Sequence, residues 1–181
     1  MKKVILATLI TTAVALSSSA FAAGGQGQGS GQVKFHGYII DAPCSIESDN
    51  PIEVDFNQIS RKLLEQNGNT GESHVRTFNI ELADCDISDL TEKQVTTTFS
   101  FTDAGAGSNL IGFNGKDGMG AGIAITSGGS KVLNNVATKP HNLSTGPNTL
   151  QFASYVKGLG GKDPIKVGEF YATANFTLAY Q

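Results

Sequence analysis

Tryptophan is absent from this 181-residue chain, cysteine occurs only twice, and charged residues make up only 16% of the sequence. Basic residues number 13 against 16 acidic ones, so the formal net charge is −3. Because nucleic-acid-binding domains usually carry a basic surplus, this balance argues against a nucleic-acid partner. The hydrophobic fraction of 39% is too high for a chain that is disordered throughout, and the length fits one domain.

The motifs that mark catalytic and metal sites are missing as well. None of the three histidines lies in an HExxH pattern or a Cys/His cluster. No GxSxG pattern occurs, and the glycine-rich stretch 115–122 lacks the Lys-Ser/Thr pair of a phosphate-binding loop. The sequence therefore predicts no enzyme activity, no cofactor and no metal site.

The N-terminal residues have the pattern of a secretory signal peptide. Lys2 and Lys3 precede an apolar stretch at 4–16, and Ala20-Phe21-Ala22 has the form of a cleavage site. The apolar run is shorter than the roughly 20 residues that a transmembrane helix needs. We expect residues 1–22 to be removed on export, which leaves a mature chain with a net charge of −5, from 11 basic and 16 acidic residues.

Export changes how the two cysteines are interpreted, because thiols pair in an oxidising compartment when geometry permits. A bridge between Cys44 and Cys85 would close a loop of about 40 residues, which the chain-entropy model values at about 4 kcal/mol. The spacing does not fit a CxxC redox motif, and a thiol nucleophile would leave an odd cysteine free. A structural disulfide is therefore the favoured interpretation.

The mature chain alternates apolar and polar residues in short segments separated by Gly- and Asn-rich turns. These segments lie at 33–35, 52–56, 78–82, 95–101, 123–125 and 150–156. A period of two is typical of half-buried strands, and this spacing predicts an antiparallel sandwich. The one helical turn expected is at 60–66, where Ser60 can cap the start and Gly68 can end it.

Both ends of the mature chain carry amphipathic strand patterns. A C-terminal strand starting near Gly168 places on one face Phe170, Ala172, Ala174, Phe176, Leu178 and Tyr180. The sequence stops on this strand, and an exposed flat apolar edge invites pairing. At the other end, a glycine-rich leader runs into a strand with Gly31, Val33 and Phe35 on one face. This N-terminal strand is the candidate partner for the edge, in its own domain or in another copy.

Several short motifs follow one another along the chain. They are the glycine-rich leader before 31–37, DAPCSI at 41–46, VDF at 54–56, IELADCD at 80–86, Gly168 at the fourteenth place from the end, and the penultimate Tyr180. In this order and behind a signal peptide, they resemble the pilin subunits of the bacterial chaperone-usher pathway. The likeness extends over essentially the whole precursor and is greatest to the major rod pilins of P-type and mannose-resistant Proteus-like fimbriae.

The resemblance implies an all-β fold, an incomplete immunoglobulin-like antiparallel sandwich that lacks its last strand. Residues 37–181 would form this pilin domain, and residues 23–36 would be a donor strand that completes the fold of another subunit. In that strand Val33 and Phe35 would be plugs for pockets of the neighbour, and Gly31 would be the small residue that the family keeps there.

The C-terminal strand would line or flank the open groove and form the surface that a periplasmic chaperone recognises, according to the resemblance. Its residues are Gly168, Phe170, Ala172, Ala174, Phe176, Leu178 and Tyr180, and basic chaperone residues would hold the carboxylate of Gln181. An outer-membrane usher would then exchange the chaperone for the next subunit, either another copy or a minor pilin.

The function expected from these features is that of a structural fimbrial subunit at the cell surface, specifically the major rod pilin. Two alternatives stay open. One is a minor adaptor or terminator subunit of the same family. The other is a monomeric secreted carbohydrate-binding sandwich, which the lack of tryptophan and the presence of only four tyrosines disfavour, since such modules bind sugars through aromatic platforms.

Overall fold

The structure is a computed structural model that describes residues 31–48, 51–113, 118–162 and 164–181. The chain divides into two units, Met1–Ile39 and Ile40–Gln181. The predicted signal peptide at 1–22 and the leader residues 23–30 lie outside the described residues. Residues 31–40 form neither helix nor strand, and the side chains of Val33 and Phe35 are 73% and 93% exposed.

The regular secondary structure of the second unit consists mostly of strands. They are β1 (Ser45–Ile46), β2 (Arg76–Cys85), β3 (Gln94–Phe101), β4 (Ala121–Ser127), β5 (Ser130–Lys131), β6 (His141–Asn142), β7 (Gly146–Gly158) and β8 (Ala174–Tyr180). Two short helices, α1 (Arg61–Leu64) and α2 (Gln66–Asn69), lie between β1 and β2. Among the described residues, no helix is long and apolar enough to cross a membrane.

The strands form two antiparallel sheets. One has the order β1-β2-β7-β4-β5 and the other the order β6-β3-β8. Aromatic side chains join the sheets, since the ring of Phe99 on β3 lies 5.1 Å from that of Phe152 on β7 and 6.4 Å from that of Phe78 on β2. This arrangement confirms the predicted all-β antiparallel sandwich.

The core is made by inward-facing residues of both sheets. Ile80, Leu82, Val95 and Val156 are at most 2% exposed. A disulfide joins Cys44, just before β1, to Cys85 at the end of β2, as predicted. The bridge fixes the start of the second unit to its largest sheet.

Four of the predicted strand segments are confirmed, because 78–82, 95–101, 123–125 and 150–156 lie in β2, β3, β4 and β7. The strand predicted at 52–56 is wrong, since this segment forms no ladder of backbone hydrogen bonds, although its side chains alternate between half-buried and exposed. The C-terminal strand is shorter than predicted. It begins at Ala174 because its partner β3 ends opposite that residue, at Phe101.

The predicted helical turn at 60–66 is confirmed in position. Helix α1 follows Ser60, but the Ser60 side chain makes no capping hydrogen bond. The chain then turns through Asn67 and Gly68, which both have positive φ. This turn packs onto the end of β7, where a Cβ on Gly158 would lie 2.2 Å from the carbonyl oxygen of Asn69. Only glycine therefore fits at that position.

Candidate functional site

A groove with a volume of about 1670 Å³ opens along one side of the sandwich. One wall is the segment 51–59, and the other is the segment 165–176, which runs into β8. The floor includes the buried side chains of Leu64, Ile123 and Val156. A long apolar cleft between two segments has the shape of a site for another extended chain.

The outer edge of β8 has no neighbour among the described strands. Strand β8 pairs with β3 from Val95 opposite Tyr180 to Phe101 opposite Ala174, and it is the last strand of its sheet. Its even-numbered residues and those just before it are half-buried against the core: Phe170, Ala172, Ala174, Phe176, Leu178 and Tyr180. Such an edge offers backbone hydrogen-bonding groups to an added strand, with apolar side chains beside it.

The opposite wall has the side-chain alternation of a strand without its hydrogen bonds. Ile52, Val54 and Phe56 are half-buried, whereas Glu53 and Asp55 between them are exposed. Ile52 and Phe56 pack against the core. The alternation of this wall is therefore set by burial, and the wall lies beside the open groove.

Aromatic rings fill one end of the groove. Phe170 stacks on Phe113 with ring centroids 4.4 Å apart, and it lies 6.3 Å from Phe56 on the opposite wall. Phe113 reaches this place because the loop after β3 folds back through a bridge between Asp103 and Ile111. The groove is thus already partly occupied by the chain's own side chains at this end.

The structure brings most of the predicted C-terminal residues into the groove. Gly168, Phe170, Ala172, Ala174 and Phe176 line it, whereas Leu178 and Tyr180 continue the same row beyond the lining residues. Gly168 has a φ of 147°, which favours glycine. Burial raises the pKa of the Tyr180 phenol, because the phenolate would lose solvation there. The last residue, Gln181, exchanges backbone hydrogen bonds of 2.9 and 3.2 Å with Gln94.

The predicted donor residues Gly31, Val33 and Phe35 lie in the first unit. The rings of His36 and Tyr38 contact each other edge to face at 5.0 Å, so these even-numbered residues share a side of the chain. The odd-numbered face continues past Phe35 through Gly37 to the fully exposed Ile39.

Sequence reasoning missed the wall at 51–59, Phe113 and the extension of the odd face to Ile39. The alternation at 52–56 and 33–39 carried part of this signal. In the described ranges, no cluster of His, Cys, Asp and Glu could hold a metal ion.

Comparisons with known proteins identify the family. The family model described as Fimbrial protein matches residues 33–181. The chain is 43% identical to the Fimbria A protein of Serratia marcescens, over 100% of this chain and 99% of that protein. It is 38% identical to the major MR/P fimbria protein of Proteus mirabilis, over 85% and 86% of the two chains.

A solved structure is similar over most of its fold. The crystal structure of the P pilus rod subunit PapA superposes with a TM-score of 0.68 at 29% sequence identity, covering 77% of this chain and 100% of that one. The chain belongs to the fimbrial protein family and is a structural subunit of a surface fimbria.

Proposed function

We propose that this protein is the major rod subunit of a chaperone-usher fimbria and that it polymerises by donor-strand exchange. The observation that carries the proposal is the apolar groove beside the unpaired edge of β8. Its relatives support the rod role, since one is named a major fimbria protein and a similar solved chain is described as a rod subunit. The fold is then completed by a strand from the next copy.

The donor strand in this proposal is the segment 23–36 of the neighbouring copy, in which Val33 and Phe35 are the plugs. Both side chains are largely exposed in the single chain, as is Ile39 on the same face. Burying a Val or Phe side chain contributes about 1.5 to 3 kcal/mol. We therefore extend the donor face to Ile39, three residues beyond the predicted bound.

A periplasmic chaperone would cover the groove before assembly, and an outer-membrane usher would catalyse the exchange. The chaperone would bind along the segment from Gly168 to Tyr180. Gly168→Asn places a side chain where φ is 147°, and Tyr180→Ser removes a half-buried ring. Both variants should lower periplasmic yield and co-purification of the chaperone, and normal values for both would count against this partner surface.

Deleting residues 23–36 tests the polymerisation mechanism. Cells that express the truncated mature chain should export the subunit but show no rods by electron microscopy. The point variant Phe35→Asp should give the same result, whereas Val136→Asp, at an exposed apolar residue outside both the donor segment and the groove lining, should leave rods intact. Normal rods from the deletion variant would refute the mechanism.

Two further measurements address the alternatives. A monomeric carbohydrate-binding module would elute as a monomer on size-exclusion chromatography with or without residues 23–36. A minor adaptor subunit would be present in only a few copies per fibre, which labelling with an antibody along the rod would show. The major subunit should instead label the whole length of the rod.

A further inference from the structure

The donor segment and the rest of the mature chain carry opposite charges. Lys34 is the only Lys or Arg between residues 23 and 40, and no acidic residue occurs there. Residues 41–181 contain 16 acidic residues against 10 basic ones, a net charge of −6. Lys34 lies between Val33 and Phe35, the two predicted plugs. Its position gives the charge a defined place in the proposed joint.

The alternation of a strand decides which way this charge faces. If Val33 and Phe35 point into the groove, then Lys34 points to the solvent side, because successive side chains of a strand alternate between faces. The edge-to-face contact between His36 and Tyr38 shows that even-numbered residues of this segment already share a side. Lys34 belongs to that same even-numbered row.

The solvent side of the 51–59 wall carries acids outside the salt bridges of the described residues, although the Asp55 carboxylate accepts a hydrogen bond of 2.6 Å from the Asn57 backbone N–H. Glu53 and Asp55 are exposed, between the inward-facing Ile52, Val54 and Phe56. Within the described ranges, the salt bridges join Arg61 to Glu65 and Lys157 to Glu72, so neither Glu53 nor Asp55 takes part in one. The opposite wall adds Glu169, whose carboxylate accepts a hydrogen bond of 2.7 Å from the Tyr171 hydroxyl.

The basic residues of the groove do not cancel this acidic row. Arg61 lies 3.3 Å from Glu65 and is already paired. Lys166 lies in the segment 165–176, on the opposite wall of the groove. A cation supplied by a second copy therefore meets carboxylates without a salt-bridge partner along the 51–59 wall.

We infer that Lys34 of one copy pairs with Glu53 and Asp55 of the neighbouring copy, on the solvent side of the donor-strand joint. The inference rests on the proposed function, because it requires the donor strand to lie beside the 51–59 wall. Same-face neighbours on adjacent strands have Cβ atoms about 5 Å apart, and diagonal ones about 7 to 8 Å. A lysine side chain spans either distance.

The consequence is a joint whose plugs supply affinity and whose charge pair supplies selectivity. Complementary charges at an interface speed correct encounters and disfavour partners of the wrong sign. An exposed pair is weakened by salt, because ions screen it. The assembly and stability of the fimbria should therefore depend on salt concentration, and this dependence should weaken when Lys34 is replaced.

A charge-reversal series tests the pair in the full-length chain. The variants are Lys34→Glu, the double variant Glu53→Lys/Asp55→Lys, and the triple variant that combines all three changes. Lys139→Glu, at an exposed lysine outside the donor segment and the groove lining, is the matched control. The readout is the rate at which purified fimbriae dissociate in denaturant, at about 20 mM and about 500 mM NaCl.

Lys34→Glu should speed dissociation about 5-fold at low salt and less than about 2-fold at high salt, the scale set by exposed ion pairs. The triple variant should return to within about 2-fold of the wild type. Dissociation of Lys34→Glu fimbriae at the rate of the Lys139→Glu control, or a triple variant that dissociates as fast as Lys34→Glu, would overturn the inference.

Two milder variants, Lys34→Gln and Glu53→Gln, should each show a smaller, salt-sensitive increase in the dissociation rate, so the test does not depend on reversed charges being tolerated.

A third variant, Phe35→Asp, separates failure of the charge pair from failure of the donor-strand proposal. It should abolish fimbriae altogether. If Phe35→Asp fimbriae assemble normally, the donor-strand proposal itself fails. If they are lost while all residue-34 variants match Lys139→Glu, only the charge pair is wrong.

Discussion

Strands β7 and β8 follow the same period-two pattern but differ in how many neighbours they have. Strand β7 pairs with β2 on one side and β4 on the other, and its inward residues Leu150, Phe152 and Val156 are at most 3% exposed. Among the described strands, β8 pairs with β3 alone, and its inward Phe176 and Leu178 stay half-buried. Alternation therefore predicts that one face of a strand becomes buried. It does not predict whether residues of the same chain or of another chain cover that face.

The difference defines a closed side and an open side of the sandwich. The closed side is the β2-β7-β4 sheet with the core beneath it, and the open side is the groove between 51–59 and 165–176. Apolar side chains on the open side lose contact with water only when another extended segment covers them. Variants on the two sides should therefore differ in whether they affect the single subunit or the assembled fibre.

The largest contrast is expected between two phenylalanines. Phe152→Ala on the closed side should lower the free energy of unfolding of the subunit by about 3 to 5 kcal/mol, because it leaves a cavity in the core. Phe170→Ala on the open side should cost the subunit less, since the ring is half-buried, but should destabilise the fimbria. Urea unfolding of subunits and dissociation of fimbriae measure the two effects. If Phe152→Ala and Phe170→Ala lower the free energy of unfolding of the subunit equally, the distinction between the closed and open sides is wrong.

A medium effect is expected from adding one methyl group on the closed side. Gly158→Ala places a Cβ 2.2 Å from the Asn69 carbonyl oxygen and 2.9 Å from that of Leu64. The α1–α2 turn must move away, at a cost of about 1 to 3 kcal/mol. Gly105→Ala is the control, because its nearest neighbour is a Leu159 methyl at 3.9 Å. If the two variants melt at the same temperature in thermal unfolding, this turn is not tightly packed.

The smallest effect concerns pH. Burial raises the pKa of the Tyr180 phenol, so the folded chain holds this proton more tightly than the unfolded chain. The stability linked to this proton is present below the ordinary tyrosine pKa of about 10 and is lost as pH rises through the raised value. Tyr180→Phe should therefore reduce the loss of stability between about pH 9 and 11, measured by urea unfolding. Tyr155→Phe on β7 controls for the missing hydroxyl, and identical pH curves for Tyr180→Phe and the wild type would contradict the prediction.

The sequence predicts the closed side well, because its strands find their partners within the chain. The alternation at 78–82 and 150–156 corresponds to β2 and β7, and the two cysteines form the expected disulfide. On the open side, alternation predicts which side chains face the core, but it does not predict whether the segment forms a strand. The side chains at 52–56 and 168–173 follow the predicted alternation, yet these segments form no ladder, because a ladder needs a neighbour that the described part of the chain does not supply.

The aromatic contacts at one end of the groove could not be predicted from local patterns. Phe113 joins Phe170 and Phe56 only because the loop after β3 folds back through the bridge of Asp103 with Ile111. That contact depends on tertiary structure and has no periodic signal. Ile39, by contrast, continues the face of Val33 and Phe35 in the sequence, so a longer reading of that alternation would have included it.

Hydrogen exchange tests the central claim, that the groove receives a strand from another copy, most directly. The backbone amides of 51–59 and of the outer edge of β8 should exchange slowly in assembled fimbriae and rapidly in Phe35→Asp subunits. Amides of β7 are the internal reference and should be protected in both. Equal exchange at 51–59 and β8 in fimbriae and subunits would show that no strand enters the groove, and would contradict the account.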